Sequence, residues 1–204
     1  MDTEDRFNNS VLSVLSVVKS GDFYRLYGSD IARNPTVNEE MKMGSMKAYR
    51  ALKKAGIDFV TSVPCVNLGG LLDLLESDPG IVHIPVTREE EGVGICAGAY
   101  LGGANPALVM QNSGLGNSIN ALASLSLLYR MPLLMVLSHR GDLGEQISAQ
   151  VPMGQLTPGL LDDLGIPWYS PTPSDVDRVI PGAWTLAKTS GLPVAILLGE
   201  SFWV

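Results

Sequence analysis

From Asn38 onward the apolar positions follow two alternating periods. Apolar residues three and four apart, the mark of an amphipathic helix, run through residues 39–55, 68–77, 89–102, 117–129 and 174–189, with a shorter stretch at 157–164. Between them lie short continuous apolar runs, 57–63, 82–86, 107–111, 133–138 and 194–198, and a brief strand is expected near Trp168. Runs of that length, bounded by Gly and Pro, read as strands covered on both faces. Gly56 stops the first helix and Pro64 ends the first strand. Strands separated by single helices predict an α/β domain: a doubly wound, mostly parallel sheet of about six strands with helices on both faces. The regular pattern places that domain at residues 37–204. Residues 1–36 read as an N-terminal extension, with an amphipathic helix through Val18 and a Gly-, Asn- and Asp-bearing connector ending near Pro35.

Composition narrows the function more than the fold. A chain of 204 residues that is 46% hydrophobic can bury a self-sufficient core. The net charge of -7 without any Lys or Arg run argues against a nucleic-acid partner, although a small anionic substrate remains compatible. The two cysteines, Cys65 and Cys96, supply neither a metal ligand set nor a disulfide framework, and no metal site is expected. They suit a reducing, cytoplasmic setting. The acidic start, Asp2, Glu4 and Asp5, is unlike a signal peptide, and no apolar stretch reaches the roughly 20 residues of a membrane span.

In doubly wound sheets, ligands approach the carboxyl ends of the strands. Here those ends are residues 64–68, 87–91, 112–117 and 138–155, each polar or glycine-rich after an apolar strand. Three carboxylates, Glu89, Glu90 and Glu91, stand at the second junction, where the helix dipole favours negative charge. The helix they open carries Gly92, Gly94, Ala97, Gly98 and Ala99, residues so small that something is expected to approach it closely. Ordinary helix-start acids and tight helix-on-sheet packing would give the same pattern. The third junction lacks the full dinucleotide fingerprint and the P-loop lysine. Its Asn112 and Asn117 are candidates either to line a pocket or to cap a helix. At the fourth, Arg140 has the planar fork that matches a sulfonate or carboxylate, or is simply a surface arginine. His139 is a candidate proton relay, though a lone strand-end histidine is commonly structural. Gln146 and Gln150 follow as possible hydrogen-bond donors to substrate.

The spacing from Glu90 through Gly92, Gly94 and Gly98 to Tyr100 resembles the pyrimidine-binding domain of thiamine-diphosphate enzymes. Aligned on Tyr100, Glu90 falls at that family's catalytic glutamate, with Glu89 and Glu91 one residue away. Residues 110–117, from Met110 to Asn117, are similar to the glycine-rich turn of phosphonopyruvate and sulfopyruvate decarboxylases. Residues 63–68 resemble the alpha-subunit family of the latter. The resemblance implies thiamine diphosphate as cofactor, near Glu90, Pro64, Asn112, Gly114 and Asn117, and a substrate near Cys65, Asn67, His139 and Arg140. The family's glutamate hydrogen-bonds a ring nitrogen of the aminopyrimidine, and a dry pocket would raise its proton affinity. The implied reaction is decarboxylation of 3-sulfopyruvate to sulfoacetaldehyde and CO2 in coenzyme M biosynthesis. A phosphonopyruvate or other 2-oxoacid decarboxylase subunit, or a non-catalytic scaffolding relative, are the alternatives. The Gly-Asp-Gly and downstream asparagine motif that holds the diphosphate and Mg2+ is not found; residues 141–144 lack its spacing. A beta subunit carrying that domain is therefore the expected partner, in a symmetric assembly built on dimers.

Overall fold

The computed structural model describes residues 35–203, with side chains from residue 42. The helix expected through Val18 lies outside the described residues. The chain divides into two units, Met1–Glu39 and Glu40–Val204. The second unit holds a sheet of six strands: β1 Phe59–Ser62, β2 Val82–Pro85, β3 Pro106–Gln111, β4 Leu133–Ser138, β5 Trp168–Tyr169 and β6 Pro193–Leu198. Among the described residues there are seven α-helices: α1 Pro35–Ala55, α2 Gly69–Glu76, α3 Glu89–Leu101, α4 Ser113–Ala121, α5 Val151–Asp163, α6 Val176–Ser190 and α7 Glu200–Trp203. The strand order is β2-β1-β3-β4-β6-β5 and every pairing is parallel.

Parallel strands need both faces covered, and the alternation within β3 shows how that is met. Ala107 and Val109 join one core with Leu52, Leu75, Trp184 and Trp203, while Leu108 and Met110 join the other with Val93, Leu115, Leu122 and Leu161. Helices α1, α2, α6 and α7 thus cover one face, and α3, α4 and α5 the other. No helix among the described residues is long and apolar enough to cross a membrane.

Two helix starts and one additional helix differ most from expectation. Helix α4 begins at Ser113 rather than at 117, so the glycine-rich turn is its first turn, and it continues as a π-helical segment, Leu122–Leu127. Helix α5 begins at Val151 rather than 157, because Pro152 occupies its first turn, where a missing N–H leaves no bond unmade. Helix α7 was not anticipated. It forms because Phe202 and Trp203 bury themselves, 2% and 1% exposed, with the Trp203 indole donating to Leu198 O at 3.2 Å.

The order of strands reverses between β1 and β3. From β1 the chain crosses to β2 on one side, and from β3 to β4 on the other. The crevice above these two carboxyl ends is the natural ligand approach.

Candidate active site

The three glutamates at the start of α3 point to three different ends. Glu89 is buried, accepts a hydrogen bond from Asn117 Nδ2 at 2.8 Å, and packs so closely on Gly114 that a Cβ there would lie 2.8 Å from its Cδ. This differs from the solvated helix start that is the plain expectation for that residue. Glu91 turns back to accept from the Thr87 backbone N–H at 3.1 Å and hydroxyl at 3.0 Å. With its neighbours committed, Glu90 stands between them with its side chain 33% exposed.

Its Oε1 accepts from Arg88 Nε at 2.6 Å, while Oε2 is shielded by its surroundings and has no hydrogen-bond partner. A hydrogen bond from its own backbone N–H, then the Arg88 guanidinium, hold the carboxyl below the usual carboxylate range. The expectation of a raised proton affinity is therefore not met by this chain alone. A carboxylate oxygen withdrawn from water without a partner is a place where a donor is missing. One and two turns on, Gly94 and Gly98 have nothing within 4 Å of where a Cβ would stand. The small residues of α3 thus serve two purposes. Gly92 admits the sheet, since a Cβ there would meet Leu108 Cδ1 at 2.8 Å and Thr61 Oγ1 at 3.0 Å, whereas Gly94 and Gly98 leave a shallow track beside Glu90.

An aminopyrimidine ring nitrogen pairs with Glu90 Oε2 through one shared proton, carried on the ring or on the carboxyl, and with that proton the residues present fit that part of thiamine diphosphate. No group of three or more metal-ligating side chains occurs among the described residues. Cys96 is inert: burial pushes its thiol up to about 11, and it lies 3.1 Å from Thr61 Oγ1 inside the core.

The loop after β4 is more firmly tied than its sequence suggests. Asn112 is 1% exposed and spans it completely, donating to Arg140 O at 3.1 Å and Thr157 Oγ1 at 3.0 Å while accepting from Arg140 N at 3.0 Å. Its amide is thereby committed to the fold. Pro158 cannot donate to Gly154 O four residues back, and His139 Nε2 supplies that donor at 3.0 Å. His139 therefore carries its proton on Nε2 and is occupied structurally.

Arg140, expected to reach an anionic substrate, is instead gripped by Glu145 through two 2.7 Å hydrogen bonds, with the side chains only 12% and 5% exposed. Glu145 also accepts the backbone N–H groups of Gly141 and Ile147, and the guanidinium lowers its pKa to about 2. Gly141, at φ +85°, lets this loop cross α5; a Cβ would lie 2.9 Å from Gly154 Cα.

At the reversal point itself, Pro64 is exposed and Cys65 and Asn67 are buried. The Cys65 thiol donates to Gln111 Oε1 at 3.5 Å, and Gln111 Nε2 donates to Ser113 Oγ at 3.0 Å and Gln150 Oε1 at 2.8 Å. Gln111 thus joins three of the four strand ends, yet sequence reasoning did not single it out. Its signal was a polar residue closing an otherwise apolar strand. Glu145 and Thr157 had no such signal: Glu145 is one of several polar residues in the long 138–155 segment, and Thr157 lies beyond it.

Residues 44–157 match the family model described as thiamine pyrophosphate enzyme, N-terminal TPP binding domain. The sulfopyruvate decarboxylase subunit alpha of Methanococcus maripaludis is 56% identical, over 78% of this chain and 96% of that protein. The protein of the same name from Methanocaldococcus jannaschii is 52% identical, over 78% and 95%. Among solved structures, a 2-oxoglutarate:ferredoxin oxidoreductase from Magnetococcus marinus superposes with a TM-score of 0.61 at 18% identity, covering 78% of this chain and 29% of that one; it shares the fold. The chain belongs to the thiamine pyrophosphate enzymes, in the family of sulfopyruvate decarboxylase alpha subunits.

Proposed function

We propose that this chain is the pyrimidine-binding half of a thiamine-diphosphate-dependent decarboxylase that converts 3-sulfopyruvate to sulfoacetaldehyde and CO2, a step of coenzyme M biosynthesis. The observation that carries the reading is Glu90 Oε2, shielded and unpartnered at the edge of a domain whose relatives are named as alpha subunits. A partner subunit follows from those names. In our reading it is a beta subunit bearing the diphosphate and Mg2+ site, and it closes over the track of Gly94 and Gly98. The free thiols Cys65 and Cys96 agree with a cytoplasmic setting.

Thiamine diphosphate, when bound, supplies the electron sink for loss of CO2. Glu90 holds the proton shared with the aminopyrimidine, at Oε2. For that role its carboxyl must be drier than in the lone chain, and Arg88, 66% exposed, must release Oε1. Covering by the partner removes water from both groups. Glu89, fixed by Asn117 and Gly114, keeps the first turn of α3 from rotating, so that Glu90 stays in place. Alignment of that kind is worth orders of magnitude in rate.

The test is turnover by this chain reconstituted with its beta subunit. We expect CO2 release from 3-sulfopyruvate at a kcat/KM well above that for phosphonopyruvate, and none from either subunit alone. Preference for the phosphonate would overturn the substrate assignment, and turnover by this chain alone would overturn the divided site.

A further inference from the structure

Gln111 is a carboxamide with all its hydrogen-bonding groups engaged, and the direction of each bond decides what its partners have left. Its carbonyl oxygen can only accept, so the Cys65 thiol is the donor at 3.5 Å. With the amide so turned, Nε2 donates to Ser113 Oγ at 3.0 Å and Gln150 Oε1 at 2.8 Å. Both hydrogens of Nε2 are thereby used. Gln150 receives its bond on oxygen, so its own Nε2 lies on the far side with two hydrogens and no acceptor among the described residues. Ser113 likewise receives on Oγ and keeps its hydroxyl hydrogen to give. One glutamine thus turns two groups that can both give and receive into groups with donors to spare. Ser113 is exposed and Gln150 half-buried, and both follow strands whose carboxyl ends border the crevice.

The charge of this place is unusual for a site that takes an anion. Residues 63–68, 111–117 and 139–155 contain a single Lys or Arg, Arg140, and Glu145 holds it by two nitrogens. Between those three strand ends an anion meets only neutral donors of this chain; Arg88, at the fourth, is paired with Glu90. A sulfonate suits such a seat, having three acceptor oxygens, one negative charge and no proton. A phosphonate brings either a second charge that asks for a cation or a hydroxyl hydrogen that finds no acceptor.

We propose that Gln150 Nε2 and the Ser113 hydroxyl, aimed by Gln111 and Cys65, form a neutral seat of hydrogen-bond donors for the sulfonate head group of the substrate. This rests on the decarboxylase reading for the identity of the ligand, and it locates the choice between sulfonate and phosphonate in a missing cation. Gln111 acts through its neighbours and is a positioning residue.

The test is equilibrium binding, by calorimetry, of 3-sulfopropanoate, which carries the head group but no reactive carbonyl, to the assembled enzyme. Gln150→Met and Gln111→Met are each expected to weaken it about tenfold, with the affinity for thiamine diphosphate unchanged and, for Gln150→Met, the melting temperature unchanged as well. Gln150→Lys should shift the ratio of affinities towards 3-phosphonopropanoate by about tenfold or more. Unchanged 3-sulfopropanoate binding in Gln150→Met, an unchanged ratio in Gln150→Lys, or no binding to the wild-type complex would each overturn the proposal. Because binding is read without turnover, a complex inactive on every 2-oxoacid would defeat the decarboxylase reading separately.

Discussion

Glu90→Gln in the assembled enzyme is expected to lower kcat by about 10²- to 10⁴-fold, with little change in the thermal stability of the chain. The asymmetry follows from where the side chain sits. Its one ionic partner, Arg88, is itself exposed, so the fold gains little from the pair. The reaction, in contrast, needs a group at Oε2 that can exchange a proton, and an amide cannot. The neighbours provide the control. Glu91→Gln should leave kcat near wild type, because Glu91 only caps the turn at Thr87. A loss for Glu91→Gln as large as for Glu90→Gln would mean that the alignment on Tyr100 is one residue out.

Arg140→Met should cost about 3–5 kcal/mol of stability near neutral pH. The methionine fills much of the space but leaves Glu145, 5% exposed by its side chain, charged against two backbone N–H groups alone. The pH dependence has a definite sign. In the wild type the Glu145 pKa of about 2 lies below its ordinary value of 4.5. The pair's contribution is therefore fully present above about pH 4.5 and is lost as the pH falls towards 2. The stability gap between wild type and variant should close over the same window, which denaturant melts at pH 7, 5 and 3 would follow. A gap that stays constant with pH would mean that the cost arises from packing.

The elements that were legible in the sequence are those with a period. The sheet declared itself through apolar runs such as 133–138, and its mostly parallel character through the single helices between them; the order of its strands did not. Boundaries failed where one residue outweighed the pattern, as with Pro152 opening α5 and Trp203 folding a last turn back into the core. The acid cluster could be found at a strand end, but its division of labour could not. That Glu89 is buried depends on Asn117 and Gly114, 28 and 25 positions away, and no local pattern encodes such a meeting. Arg140 had the right chemistry for an anion and the wrong neighbour, since Glu145 lies in an aperiodic loop. His139 needed Pro158 to be understood, and Asn112 needed Thr157.

The most direct test of the account is the structure of the complete enzyme, this chain with its partner and thiamine diphosphate. We expect a Glu90 carboxylate oxygen at hydrogen-bonding distance, about 2.6–3.0 Å, from a ring nitrogen of the aminopyrimidine, with the diphosphate held by the other polypeptide. A cofactor seated elsewhere, with Glu90 still paired to Arg88 and facing solvent, would contradict it.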